Sequence, residues 1–298
     1  MWRLWENYWF RQVPPHQYAV IRIALGVVGL AILAGLSDID TFWRLDGLVD
    51  PTGSRIQQAA TRLLGPEHAP VVAFSAAVAA YVLMSLGVGS QVTVPLAFAV
   101  SFMQLSWNRL PLSGAYQVHL SLLFCLAFAE CGGVWSIDAW WRRRRGRVHE
   151  QLAAIWPLRL LRFQVCLIYF ITGWWKLQNV HWRDGSALQY VLSNTQFRRF
   201  PIDPPLWAAE FLTLSTYLTL CWELLFPLLV LHRTTRAIAL VIGVMLHVGM
   251  LLTMELGTFP IVMMVSYLAF LEPDTVPRVA AQLRNRFRRP LSATSAPL

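Results

Sequence analysis

The chain is almost without lysine. Of its 25 basic residues only Lys176 is a lysine; the rest are arginines. Charge of either sign is sparse, at 14% of 298 residues against 56% hydrophobic. Soluble domains carry about 25% charged residues, so a water-soluble fold is excluded. Cysteine is scarce as well. Cys125, Cys131, Cys166 and Cys221 form no CxxC pair and lie in or beside apolar runs. They read as buried thiols, not as a disulfide framework or a zinc site. The sequence also lacks a Gly-rich phosphate loop, an evident internal repeat and a clear signal-cleavage site after its first apolar run.

Long apolar runs are plentiful. Several approach or exceed the ~18–20 residues that cross a bilayer. A backbone in lipid must bond internally, so the fold class expected is an all-α polytopic membrane protein. About eight transmembrane helices are predicted, over residues 17–36, 70–88, 91–107, 113–131, 157–177, 207–231, 236–253 and 258–271. The last is short for a span and is expected to be tilted or partly re-entrant. The 14 tryptophans suit membrane–water boundaries.

The net charge of +9 is concentrated in "RRRRGR" (142–147) and "RVAAQLRNRFRR" (278–289). Both flank apolar segments. Anionic lipid headgroups are therefore the expected partners, and nucleic acid is not. With "RRRRGR" in the cytoplasm, "HRTTR" (232–236) and both termini also fall inside. The loops 37–69 and 178–206 fall outside, with Asp38, Asp40, Asp46, Asp50, Asp184 and Asp203. The predicted localisation is a multi-pass inner (cell) membrane protein with its site on the extracytoplasmic side. Three segments follow: an interfacial amphipathic helix over 1–16, a transmembrane domain over 17–272 and a basic cytoplasmic tail over 273–298. Trp2, Trp5 and Trp9 share a helical face in the first, and Val279, Leu283 and Phe287 do so in the tail. The final "LSATSAPL" is expected to be disordered. In the outer loops, "RIQQAATRLL" reads as an amphipathic helix, and Asp184-Gly185-Ser186 as a turn into another.

Charges at membrane depth cost ~2.5–3.5 kcal/mol each even on lenient scales, so each needs a reason. Lys176 has two readings. As a terminal lysine it snorkels its ammonium to the headgroups. As a desolvated amine it can lose its proton and act as a base, which arginine cannot do. His119, in "SGAYQVHL", and His247, in "VMLHVGM", fall in the outer halves of their spans. Each alone suits a histidine satisfied by a neighbouring helix. With Lys176 they suggest one shared polar pocket. No metal-ligand spacing links them. Glu223 lies deeper, in "CWELLFPLLV", and Arg22 near the inner end of the first span. An Arg22–Glu223 pair is expected to neutralise both, with a proton or ion path through Glu223 as the alternative.

The stretch "YFITGWWKLQNVHWRDGSALQYVL" resembles the central motif of the HTTM (horizontally transferred transmembrane), or vitamin K-dependent γ-carboxylase-like, membrane family. In order along the chain, "VIRIALGVVGL", "DGLVDP", His119, "WSIDAWWRR", "WELLFPLLV" and "LHVGMLLTMELGTFPIVMM" extend the resemblance over roughly 17–272. In carboxylase members the motif lysine deprotonates vitamin K hydroquinone, with O2 and CO2 as co-substrates, and a histidine hydrogen-bonds a developing anion. The resemblance thus implies Lys176 as base and His119 as its partner. Trp174, Trp175, His247 and Tyr116 are the candidates for binding the quinol. The animal carboxylases carry a large extra-membrane domain for the protein substrate, and no room for it follows residue 272. The expected function is a quinol-dependent oxygenase or carboxylase. The alternatives are a non-catalytic membrane factor for a secreted peptide or redox partner, and a transporter using Glu223 and His247.

Overall fold

The computed structural model describes residues 2–43, 55–107, 113–147, 151–200 and 205–288. "DGLVDP", Asp46, Asp50, Asp203 and "LSATSAPL" lie outside the described residues. In chain order the helices are α1 (Trp2–Phe10), α2 (His16–Ala34), α3 (Ile39–Phe42), α4 (Arg55–Leu64), α5 (His68–Leu86), α6 (Ser90–Trp107), α7 (Gly114–Leu126) and α8 (Ile137–Arg144). Then follow α9 (Trp156–Gln178), α10 (Val180–Arg183), α11 (Ala187–Ser193), α12 (Ala209–Leu229), α13 (Arg233–Thr253), α14 (Phe259–Ser266), a 3-10 turn (Tyr267–Phe270) and α15 (Thr275–Arg288). A helix lies in each of the eight predicted spans. Two features among the described residues depart from an all-α fold: β1 (Gln12–Val13) pairs antiparallel with β2 (Ala153–Ala154), and Arg198 forms an isolated antiparallel bridge with Met254. Tyr18 donates its hydroxyl to the Ala154 carbonyl at 2.6 Å and holds the β1–β2 ribbon to α2.

Among the described residues four helices, α2, α5, α12 and α13, are long and apolar enough to cross a membrane. At 1.5 Å per residue, 19 residues reach ~28 Å, about the thickness of the hydrocarbon core. The last apolar helix and α15 would add a fifth span as a pair, but the chain bends 97° between them. α7 has only 13 residues. α9 has 23 but carries Arg159, Arg162 and Lys176.

Small residues set the packing. An added Cβ at Gly26 would lie 2.0 Å from Ser85 Oγ, and one at Gly29 would lie 2.1 Å from the Tyr81 ring. Two glycines on one face thus bring α2 against α5, the close approach by which apolar helices associate without a hydrophobic driving force. α9 packs chiefly on α12 and then on α7, and α14 on α13, α7 and α2. The short end of the last span is stabilised from its neighbours. Gln17 Nε2 donates to the Leu268 carbonyl at 2.6 Å, and Arg162 Nε to that of Ala269 at 2.7 Å. Carbonyls that the ending helix leaves open are thereby satisfied away from water.

The predicted outer elements form as helices. "RIQQAATRLL" is α4, and Asp184-Gly185-Ser186 leads into α11. Asp184 accepts from the Ser186 amide at 2.9 Å and its hydroxyl at 2.6 Å. These bonds hold the Asp184 carboxyl below the usual aspartate range. Tyr217 of α12 donates to the Arg183 carbonyl at 3.1 Å, so α10 and α11 sit against the first turns of α12.

Candidate active site

Tyr169, Thr172 and Lys176 occupy positions i, i+3 and i+7 of α9, a single helical face. That face meets α12. Lys176 Nζ donates to Glu223 Oε1, forming an ion pair. The lysine side chain is 25% exposed and the carboxylate 7%, so the carboxylate is the buried partner. Gly173 makes the approach possible, since a Cβ there would lie 3.2 Å from the Glu223 Cβ. Thr172 Oγ1 stands 3.3 Å from the other carboxylate oxygen, Oε2. Its single proton is contested by the Ile168 and Tyr169 carbonyls, at 2.9 and 3.1 Å. Oε2 therefore keeps acceptor capacity. The Trp182 ring lies 4.7 Å from Nζ and flanks the ammonium by its π face.

Tyr169 joins a second group. Its hydroxyl bonds His247 Nε2 at 2.8 Å and also the Tyr267 hydroxyl. His247 Nδ1 has no hydrogen-bond partner among the described residues. A cavity of about 500 Å³ lies between α7, α9, α13 and α14 and is lined by Tyr169, Lys176, Glu223 and His247 at its polar end. Its walls include Val118, Ile168, Phe259 and Met263. An apolar pocket of this size with a few convergent polar groups is the usual form of a small-molecule site. Leu167 and Ile171, partly exposed on α9, and Gln117 of α7 also line it. Exposed residues of α7 and α9 thus belong to its lining.

Of the six residues predicted for the site, the structure brings Lys176 and His247 to this cavity. His119 and Tyr116 do not line it. His119 turns to α5, with Nε2 3.1 Å from the Tyr81 hydroxyl. That hydroxyl lies 2.5 Å from Ser101 Oγ. Tyr116 donates to the Ser101 carbonyl and lies 3.2 Å from Gln104 Oε1. The neighbouring Val118 faces the cavity, and the ~100° step per helical residue carries His119 away from it. Trp174 and Trp175 are 51% and 70% exposed and also lie outside the lining; Trp182 takes the place beside the lysine.

The Arg22–Glu223 pair does not form. Arg22 is fully buried and donates to Ser90 Oγ at 3.2 Å and the Trp135 carbonyl at 2.6 Å. Counting residues placed Glu223 too deep. α12 begins outward of the end of α9, beside α10 and α11, so its fifteenth residue lies level with Lys176. Tyr169, Thr172, Tyr267 and Trp182 went unnoticed in the sequence. For the first two the signal was present: hydroxyl residues seven and four positions before the lysine.

A family model described as the HTTM domain matches residues 10–275. The sporulation-delaying protein SdpB of Bacillus subtilis (strain 168) is 25% identical over 121 residues, which cover 39% of this chain and 38% of that relative. The match thus spans well under half of the relative's length. No solved structure matches the chain at a significant level.

Proposed function

The chain belongs to the HTTM family of multi-pass membrane proteins, and on that premise we propose that it is a quinol-dependent oxygenase or carboxylase in which Lys176 and Glu223 together handle the proton. One observation carries this reading: a lysine–carboxylate pair lines a cavity that is otherwise largely apolar. The lining supports a quinol: Ile168, Phe259 and Met263 would hold its ring, and Lys176, Glu223 and His247 would meet its oxygens. Vitamin K hydroquinone or a related quinol, once bound, supplies the electrons and an ionisable hydroxyl, with O2 and CO2 as co-substrates.

The residues divide the work. Lys176 is a base only as an amine, and in the ion pair it carries a proton. Glu223 Oε1 is the acceptor placed to take that proton, a transfer that leaves a neutral carboxyl and a neutral amine. The amine can then remove a proton from a hydroxyl in the cavity. Arginine cannot make this exchange. We infer, from the eight apolar segments and the basic loops of the sequence, eight crossings with both termini cytoplasmic. Lys176 then lies at the extracytoplasmic end, beneath α10 and α11.

The test is epoxide formation from vitamin K hydroquinone and oxygen by the purified protein. The expectation is epoxide from wild type and a loss of about 10²–10⁴-fold in Lys176→Arg. Bound hydroquinone with no epoxide from wild type overturns the oxygenase reading. The second reading is a membrane factor, without catalysis, for maturing or binding a secreted peptide or redox partner. The similarity to a sporulation-delaying protein favours it. It predicts tolerance at Lys176 and sensitivity in the loops 37–69 and 178–206.

A further inference from the structure

A second cavity, about 660 Å³, lies far along the chain from the lysine site, between α15, the loop before α8 and the start of α2. Its lining has a consistent character. Val276, Val279, Ala280 and Leu283 of α15 give it an apolar side, and Arg143 of α8 and Arg284 of α15 give it two cations. No carboxylate lines it among the described residues. Neither arginine has an ion-pair partner among the described residues. Val279 and Leu283 remain 47% and 50% exposed, although both belong to the groove.

The groove is built, not incidental. Trp135 forms one wall with φ at +47°, in the left-handed region that a bulky residue rarely enters. Its carbonyl is held there by the fully buried Arg22 at 2.6 Å, and its ring meets His16 edge-on at 5.4 Å. Strain retained by surrounding bonds is common at binding sites. α15 runs at 97° to the last apolar helix. A helix turned this way lies along the membrane plane if the preceding helix crosses it. Beside it, Arg144 stacks on Trp140 at 4.3 Å and Arg145 on Trp141 at 5.0 Å, so this end of the bundle is basic and aromatic together.

We propose that this groove binds one anionic phospholipid, its phosphate between Arg143 and Arg284 and an acyl chain along Val279 and Leu283. Charge complementarity selects the headgroup, and the exposed apolar face of α15 selects a lipid over a free anion. A zwitterionic lipid carries its own cation to two unpaired guanidinium groups and gains less.

The experiment is native mass spectrometry of the full chain in detergent, with phosphatidylglycerol, phosphatidylcholine or inorganic phosphate added. Wild type is expected to retain one phosphatidylglycerol under conditions that strip phosphatidylcholine. The double variant Arg143→Gln/Arg284→Gln should lose that retention by roughly thirty-fold, from two cation contacts at the membrane surface. Arg144→Gln/Arg145→Gln removes the same charge nearby and should keep it. Val279→Ser/Leu283→Ser should weaken lipid retention while helical content by circular dichroism stays unchanged. Equal retention of both lipids, equal loss in the two arginine pairs, or displacement of the lipid by millimolar phosphate overturns the proposal.

Discussion

His119 and His247 carry the same chemistry at comparable depth, and the fold treats them differently. Both give Nε2 to a tyrosine hydroxyl, Tyr81 in one case and Tyr169 in the other. Both keep Nδ1 without a partner among the described residues. Around His119 the helices α5, α6 and α7 close, and Ser101, Tyr116 and Gln104 complete a sealed polar cluster. Around His247 they leave a cavity of about 500 Å³ with an ion pair on its wall. A buried histidine thus marks a polar requirement of the helix packing. It marks a site only where space for a ligand adjoins it. The tyrosine bond is common to both clusters, so it cannot be the distinguishing feature.

The largest expected effect that could break this comparison is at Lys176 and Glu223. Lys176→Arg and Glu223→Gln should each lower quinol-dependent epoxide formation by about 10²–10⁴-fold, the usual weight of a positioned base. His119→Ala with retained helical content should leave epoxide formation within a few-fold of wild type. A loss matching that of Lys176→Arg would return His119 to the site. Next in size is Tyr169→Phe, which removes the hydroxyl joining His247 to Tyr267. It should reduce activity less than Lys176→Arg. Tyr81→Phe, its counterpart in the sealed cluster, should cost about 1 kcal/mol of stability, read in a denaturation midpoint, with activity unchanged. Trp182→Ala should impair activity more than Trp175→Ala, because only Trp182 stacks on the ammonium.

The smallest effect belongs to Asp184, outside the bundle. Ser186 lowers its folded pKa below the unfolded value. Its contribution is therefore present above the ordinary aspartate pKa and is lost as pH falls through the folded value. Asp184→Asn should make the order of residues 184–193, followed by amide exchange, insensitive to acid over that range. Wild type should loosen there.

Much of the fold was legible because apolar runs have lengths and ends. The predicted spans overlap helices throughout, and Arg55–Leu64 and the turn at Asp184 were readable from polar punctuation. Which way each residue faces was not. A helix apolar on every side has no amphipathic phase to reveal its inner face. Hence nothing in the sequence sets Trp182 apart from Trp174 and Trp175, or Val118 from His119 as the cavity residue. Relative height along neighbouring helices was also hidden. It depends on where α10 and α11 seat α12, and this turned Glu223 from a partner for Arg22 into the partner of Lys176.

The most direct measurement is a double-mutant cycle on epoxide formation with Lys176→Arg, Glu223→Gln and the two combined. If the pair handles one proton as a unit, the double variant should be no slower than the worse single variant. Losses that simply multiply would show two independent groups and contradict the account.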